Sequence, residues 1–176
     1  MESVLTAAIS LFVLIYGVLT LSYASLDAQD NMQEAWREME TRLDDQARTR
    51  LTLVDVQVAD GGSAVRVTLR NDGDTKLFDY EHWDAILHYY DGSAQYYVDW
   101  LPYRDSTTVT SNQWTVSGIY VDAELGIPEA YEQGILNPGE EVVLQVNPSP
   151  AVGADTTNLL VFSTDNGARS TVMFSN

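Results

Sequence analysis

The chain contains no cysteine. Disulfides, thiolate metal sites and cysteine nucleophiles are therefore excluded, although the compartment is not fixed by that absence. Basic residues are nearly as scarce: nine Lys and Arg stand against 26 Asp and Glu, for a net charge of -17, and Lys76 is the only lysine. A surface of that sign repels phosphate backbones and anionic headgroups, which argues against nucleic-acid binding. It suits a protein displayed in a saline medium, where salt screens self-repulsion, and equally a plain need for solubility. Histidine is limited to His82 and His88, both beside aromatic residues, where packing is the simpler reading. No Gly-x-Ser-x-Gly elbow, phosphate-binding loop, dinucleotide fingerprint or His-Glu-x-x-His motif occurs. No catalytic residue and no cofactor is expected.

Proline and glycine are missing from Val18 to Arg50, and charge is missing from Ser3 to Leu26. An uncharged run of 24 residues spans roughly 36 Å as a helix, against about 30 Å of hydrocarbon. It is too long for a signal-peptide core and has no basic residue before it, where only Met1 and Glu2 stand. A basic segment that once preceded Met1 would explain the missing charge. Beyond the run, Met32, Trp36, Met39 and Leu43 recur at heptad-like spacing among charged residues. One helix is expected over residues 1–50, apolar all round in its first half. In its second half it is amphipathic, with Met32, Trp36, Met39 and Leu43 lying against the chain's own domain. Gly17 reads either as a bend or as a close helix contact.

From residue 51 the period becomes two. "LTLVDVQVA" alternates around an irregularity at Val54–Asp55, and "AVRVTLR" turns Val65, Val67 and Leu69 inward. Turn chemistry recurs at "NDGD", "DGS", "NPGE" and "DNG". Eight or nine short strands without a second helical pattern predict a β-sandwich of immunoglobulin-like type over residues 51–176, with residues 122–137 as a long excursion. The fold class is α+β. Asp72, Asp74 and Asp79 share one loop and form a weak calcium candidate, with a solvated turn as the simpler reading. Tyr89, Tyr90, Tyr96, Tyr97 and Trp100 straddle the "DGS" turn. They read as hairpin stabilisers, and alternatively as a subunit contact or a carbohydrate surface.

A long apolar N-terminal helix entering a β-sandwich without a linker resembles the archaellin and type IV pilin superfamily. "VRVTLRNDGDTKLFDYEHWDAILHYYDG", "GILNPGEEVVLQV" and "LLVFSTDNGARSTVMF" are similar to archaellin segments and to the archaellum F and G proteins. Type IV pilins usually have Glu at the fifth mature position. Leu5 stands here, which favours the archaellin branch, although the start is less rich in Gly and Ala than archaellins often show.

The resemblance implies a basic leader removed by a prepilin-type peptidase, and an assembly ATPase and platform. It implies a helix that sits in the membrane before assembly and then packs with its copies in a filament core, through Val4, Leu5, Ile9, Phe12, Val13, Tyr16, Leu19 and Tyr23. The expected function is that of a structural subunit of an extracellular motility filament, a helical homopolymer. A membrane-anchored accessory protein like the F and G proteins, whose sandwich binds the envelope or a filament partner, is the first alternative. An anchored carbohydrate-binding sandwich is the second. No Asn-x-Ser/Thr sequon is present, since Pro148 follows Asn147. O-linked glycans remain open around Ser106 to Ser111.

Overall fold

The computed structural model describes residues 2–106 and 110–176, with the side chains at positions 2 and 4 left out. The stretch weighed for O-glycans thus lies partly outside the described residues. The chain divides into two compact units, residues 1–43 and 44–176.

Helix α1 runs unbroken from Glu2 to Arg48. At 1.5 Å per residue that is about 70 Å. Nothing in its interior breaks the hydrogen-bond ladder, and it passes straight through Gly17. Thr20 follows, and its hydroxyl is within 3.0 Å of the carbonyls of both Tyr16 and Gly17. That hydroxyl is thus satisfied within the helix.

Nine strands follow: β1 (Leu51–Ala59), β2 (Ala64–Asn71), β3 (Asp84–Tyr90), β4 (Tyr96–Leu101), β5 (Gln113–Asp122), β6 (Ile127–Pro128), β7 (Glu141–Asn147), β8 (Thr157–Ser163) and β9 (Arg169–Ser175). They form two antiparallel sheets, in the orders β1-β2-β7-β5-β6 and β4-β3-β8-β9. The irregularity at Val54 is a bulge, because the register against β2 shifts between Leu53 and Asp55. Residues 122–137 hold the short β6 and turns; Leu136 from this excursion is fully buried and bridges to Leu77.

The core lies between the sheets. Val65, Val67 and Leu69 of β2 and Val142, Leu144 and Val146 of β7 meet Leu87 and Tyr89 of β3 and Leu160 and Phe162 of β8. Period-two alternation puts these on one face of each strand. Trp114 closes the packing, its ring 5.4 Å from Phe162 and 4.9 Å from Tyr103.

The last turn of α1 belongs with the sandwich unit. Its final carbonyls, which no helical N–H can reach, find partners in the loops. The Asp74 amide donates to the Arg48 carbonyl at 2.8 Å, and just past the helix the Asp72 amide donates to the Arg50 carbonyl at 2.9 Å. The Thr49 hydroxyl donates to the Asp45 carbonyl at 2.7 Å. Gln46 Nε2 donates to the Gly167 carbonyl at 2.9 Å.

Candidate functional site

The residues expected to build a filament core lie on α1, and the helix presents them without cover. Leu5, Ile9, Phe12, Val13, Tyr16, Leu19 and Tyr23 are between 50% and 71% exposed. The side chain of Val4 lies outside the described residues. The expected set is one selection from a surface that is apolar on every side. Leu11, Leu14, Ile15, Val18 and Leu21 are exposed to the same degree. The helix is long and apolar enough to cross a membrane by length and composition. Met32, Trp36, Met39 and Leu43 are also at least half exposed. A Cβ added at Gly17 meets nothing within 4 Å, which leaves an indentation in the apolar surface.

The aromatic hairpin does not form one outward patch. Strands β3 and β4 pair Tyr89 with Tyr97 and Tyr90 with Tyr96. Adjacent residues on a strand point to opposite faces, so each double tyrosine is split. Tyr89 turns inward and is fully buried, which corrects its placement on an outer contact surface. Its ring stacks on Tyr97 at 5.3 Å, and its hydroxyl donates to Asp99 Oδ2 at 3.0 Å. Burial, and then that hydrogen bond, raise the Tyr89 pKa above the ordinary phenol value. Tyr97 packs partly buried against the core, its hydroxyl 3.4 Å from Asp91 Oδ2.

Tyr90, Tyr96 and Trp100 point outward and are 41%, 47% and 60% exposed. Their orientation is held by polar contacts. Trp100 Nε1 donates to Asp84 Oδ1 at 2.8 Å, and the Tyr96 hydroxyl lies 2.9 Å from His88 Nδ1. The rings of Tyr90 and Tyr96 are 5.1 Å apart.

The three aspartates of the loop after β2 are put to separate uses. Asp74 gives its backbone amide to the end of α1 at Arg48, and Asp72 gives its amide to Arg50 just beyond it. Asp79 adopts a left-handed conformation, φ 60°, and its carboxylate meets His82 Nδ1 at 2.9 Å. That bond raises the His82 pKa. Among the described residues no group of three or more His, Asp and Glu is placed to hold a metal ion, so the calcium candidate does not come together.

Sequence reasoning missed the residues that seat the helix end. Asn166, in the β8–β9 turn, donates from Nδ2 to Thr49 Oγ1 at 2.7 Å, and Thr49 Oγ1 lies 2.7 Å from Thr75 Oγ1. Gly73 lies beneath: a Cβ there would fall 2.3 Å from the Arg48 carbonyl oxygen. The "NDG" turn was the one visible signal. It marks Gly73 as special without saying what approaches it.

No family model matches the chain, and no curated protein sequence matches it. Solved structures do. The archaeal flagellum of Methanospirillum hungatei strain JF1 is 18% identical with a TM-score of 0.57, over 97% of this chain and 92% of that one. The archaellum periplasmic stator protein complex FlaF and FlaG from Sulfolobus acidocaldarius is 18% identical with a TM-score of 0.51, over 72% of this chain and 89% of that one. FlaG from the same organism, an archaellum periplasmic stator protein, is 17% identical with a TM-score of 0.50, over 72% and 99%. At such identities the likeness is one of fold: an N-terminal apolar helix and a β-sandwich, as in proteins of the archaellum.

Proposed function

We propose that this chain is a structural subunit of an archaellum-like extracellular filament, polymerising through α1 for motility. The observation that carries the proposal is the uncovered apolar surface of the helix between Leu5 and Leu26. Burying a large apolar side chain contributes roughly 1.5–3 kcal/mol. A helix with a dozen such side chains facing water is strongly unfavourable, so it must be covered by lipid, by other helices, or by each in turn. Membrane insertion before assembly and helix packing afterwards satisfy both needs with one segment. The Thr20 hydroxyl is already bonded within the helix. The likeness to the Methanospirillum flagellum takes in nearly the whole chain, helix included, and supports this reading. A prepilin-type peptidase and an assembly ATPase are the partners the reading requires.

A second reading is favoured by the likeness to FlaF and FlaG. In it, α1 stays in the membrane as an anchor, and the sandwich binds an envelope or filament partner.

The test is Phe12→Asp in the producing cells. A carboxylate in a water-free helix bundle is costly. The variant is expected to yield no filaments while the sandwich keeps its native β-sheet circular dichroism. Filaments of normal length from this variant would overturn the proposal.

A further inference from the structure

The four-stranded sheet has an outer face with exposed apolar residues of its own. Trp100 and Val98 of β4, Leu159 and Val161 of β8 and Met173 of β9 stand on it, joined by the Tyr90–Tyr96 pair. Trp100, Val98 and Met173 are 60%, 51% and 68% exposed. A contiguous apolar face of this kind on a soluble domain marks an interaction site. Strand β4 is also a free sheet edge.

Charge says what can cover it. Among the outward positions of β3, β4, β8 and β9, the only Asp, Glu, Lys or Arg are Asp84 and Arg169. Their charges cancel, in a chain whose net charge is -17. A second copy approaching any acidic surface meets like charge, and close like-charge contacts are costly. On this face the one acidic group, Asp84, is matched by Arg169. The two charges are also placed in one row: Asp84 pairs with Ser163, and Ser163 with Arg169. Stack two such sheets face to face about a two-fold axis parallel to the strands. The strand order then reverses between the copies, so each Asp84 overlies Ser163 of the second copy and stands one strand from its Arg169 on one side and from its Asp84 on the other. Adjacent strands are about 4.8 Å apart, which an arginine side chain spans. The pair thus holds two Asp84–Arg169 attractions against one Asp84–Asp84 repulsion at that spacing, a net attraction.

We propose that the outer face of the β4-β3-β8-β9 sheet pairs with the same face of a second copy of this chain. The contact is isologous and closes on itself. It makes dimers, or joins subunits of two neighbouring filaments, and leaves propagation of a filament to the helix. It does not rest on the filament reading.

The absence of cysteine allows a direct test. Thr171→Cys places one thiol on this face, between Arg169 and Met173, at an exposed site. Ser117→Cys places one on the exposed surface of the other sheet. The full-length chain, solubilised in detergent, is treated with a bis-maleimide of about 17 Å reach, because the reversed strand order sets the two β9 strands three strand spacings apart on sheets about 10 Å apart. Thr171→Cys is expected to form cross-linked dimers at least tenfold faster than Ser117→Cys. Adding Arg169→Asp, which leaves like charges facing, is expected to remove most of that difference while the circular dichroism is unchanged. Equal rates for the two single-cysteine chains would overturn the proposal, as would a free maleimide-reactive thiol at position 171 that never cross-links, which would leave the face to a partner of other chemistry. Cross-linking at position 171 in cells that make no filaments would uphold this pairing while sinking the filament reading. Filaments without it would do the reverse.

Discussion

Asn166 Nδ2 donates to Thr49 Oγ1 at 2.7 Å, across 117 residues of chain. The turn between the last two strands thus holds the residue at which α1 stops being a helix. Thr49 is buried, and its hydroxyl is shared among Asn166, Thr75 and the Asp45 carbonyl. Removing one partner of a buried hydrogen bond costs about 1–3 kcal/mol. Asn166→Ala is expected to destabilise the sandwich unit by that amount, read as a lowered midpoint in urea unfolding of the full chain. An unchanged midpoint would show that the network contributes nothing.

Gly73 and Gly92 make a matched pair for the same joint. A Cβ at position 73 meets the Arg48 carbonyl at 2.3 Å, whereas one at position 92 meets nothing within 4 Å. Gly73→Ala must push the end of α1 off its seat and is expected to cost more than 1 kcal/mol, the range typical of overpacking. Gly92→Ala is expected to be close to neutral. Thermal melts of the two variants side by side decide the matter.

The split of the double tyrosines gives a third contrast. Tyr89→Ala empties a fully buried site and is expected to destabilise by roughly 3–5 kcal/mol. Tyr90→Ala, on the exposed face, is expected to cost under about 1 kcal/mol. Similar losses at both positions, measured by denaturant unfolding, would contradict the assigned faces.

Two exposed ion pairs respond to pH in opposite directions. His82 is raised above its ordinary value of 6.5, first by its hydrogen bond to Asp79. The pair therefore stabilises fully below that value, and its contribution is lost as pH rises through the folded pKa. Glu132 is lowered below 4.5, first by its hydrogen bond from Lys76. That contribution is present above the ordinary value and is lost as pH falls through the folded pKa. Asp79→Asn keeps a residue tolerant of the left-handed backbone. It is expected to return the His82 titration, followed by NMR, toward 6.5. An unmoved titration would remove Asp79 as the cause.

Much of this was written plainly in the sequence. An uncharged run without Pro or Gly announces α1, and alternation announces the strands, down to the bulge at Val54. Such features are local, so local rules reach them. The tyrosine faces follow from the same alternation, but a pair such as Tyr89–Tyr90 reads as one aromatic cluster until a register is known. The seat of the helix end is different in kind. Gln46, Thr49, Gly73 and Asn166 meet only after the sandwich has closed, and polar residues of ordinary type carry no mark of a partner more than a hundred positions away. The electroneutral outer face is likewise a property of four strands together. None of them shows it alone.

The most direct measurement of the central claim is to shear the producing cells and follow this chain by quantitative mass spectrometry and electron microscopy. The account predicts abundant chain in the sheared fraction, in filaments whose core is built of packed helices. Retention with the membranes at low copy number would contradict it, and α1 would then be an anchor.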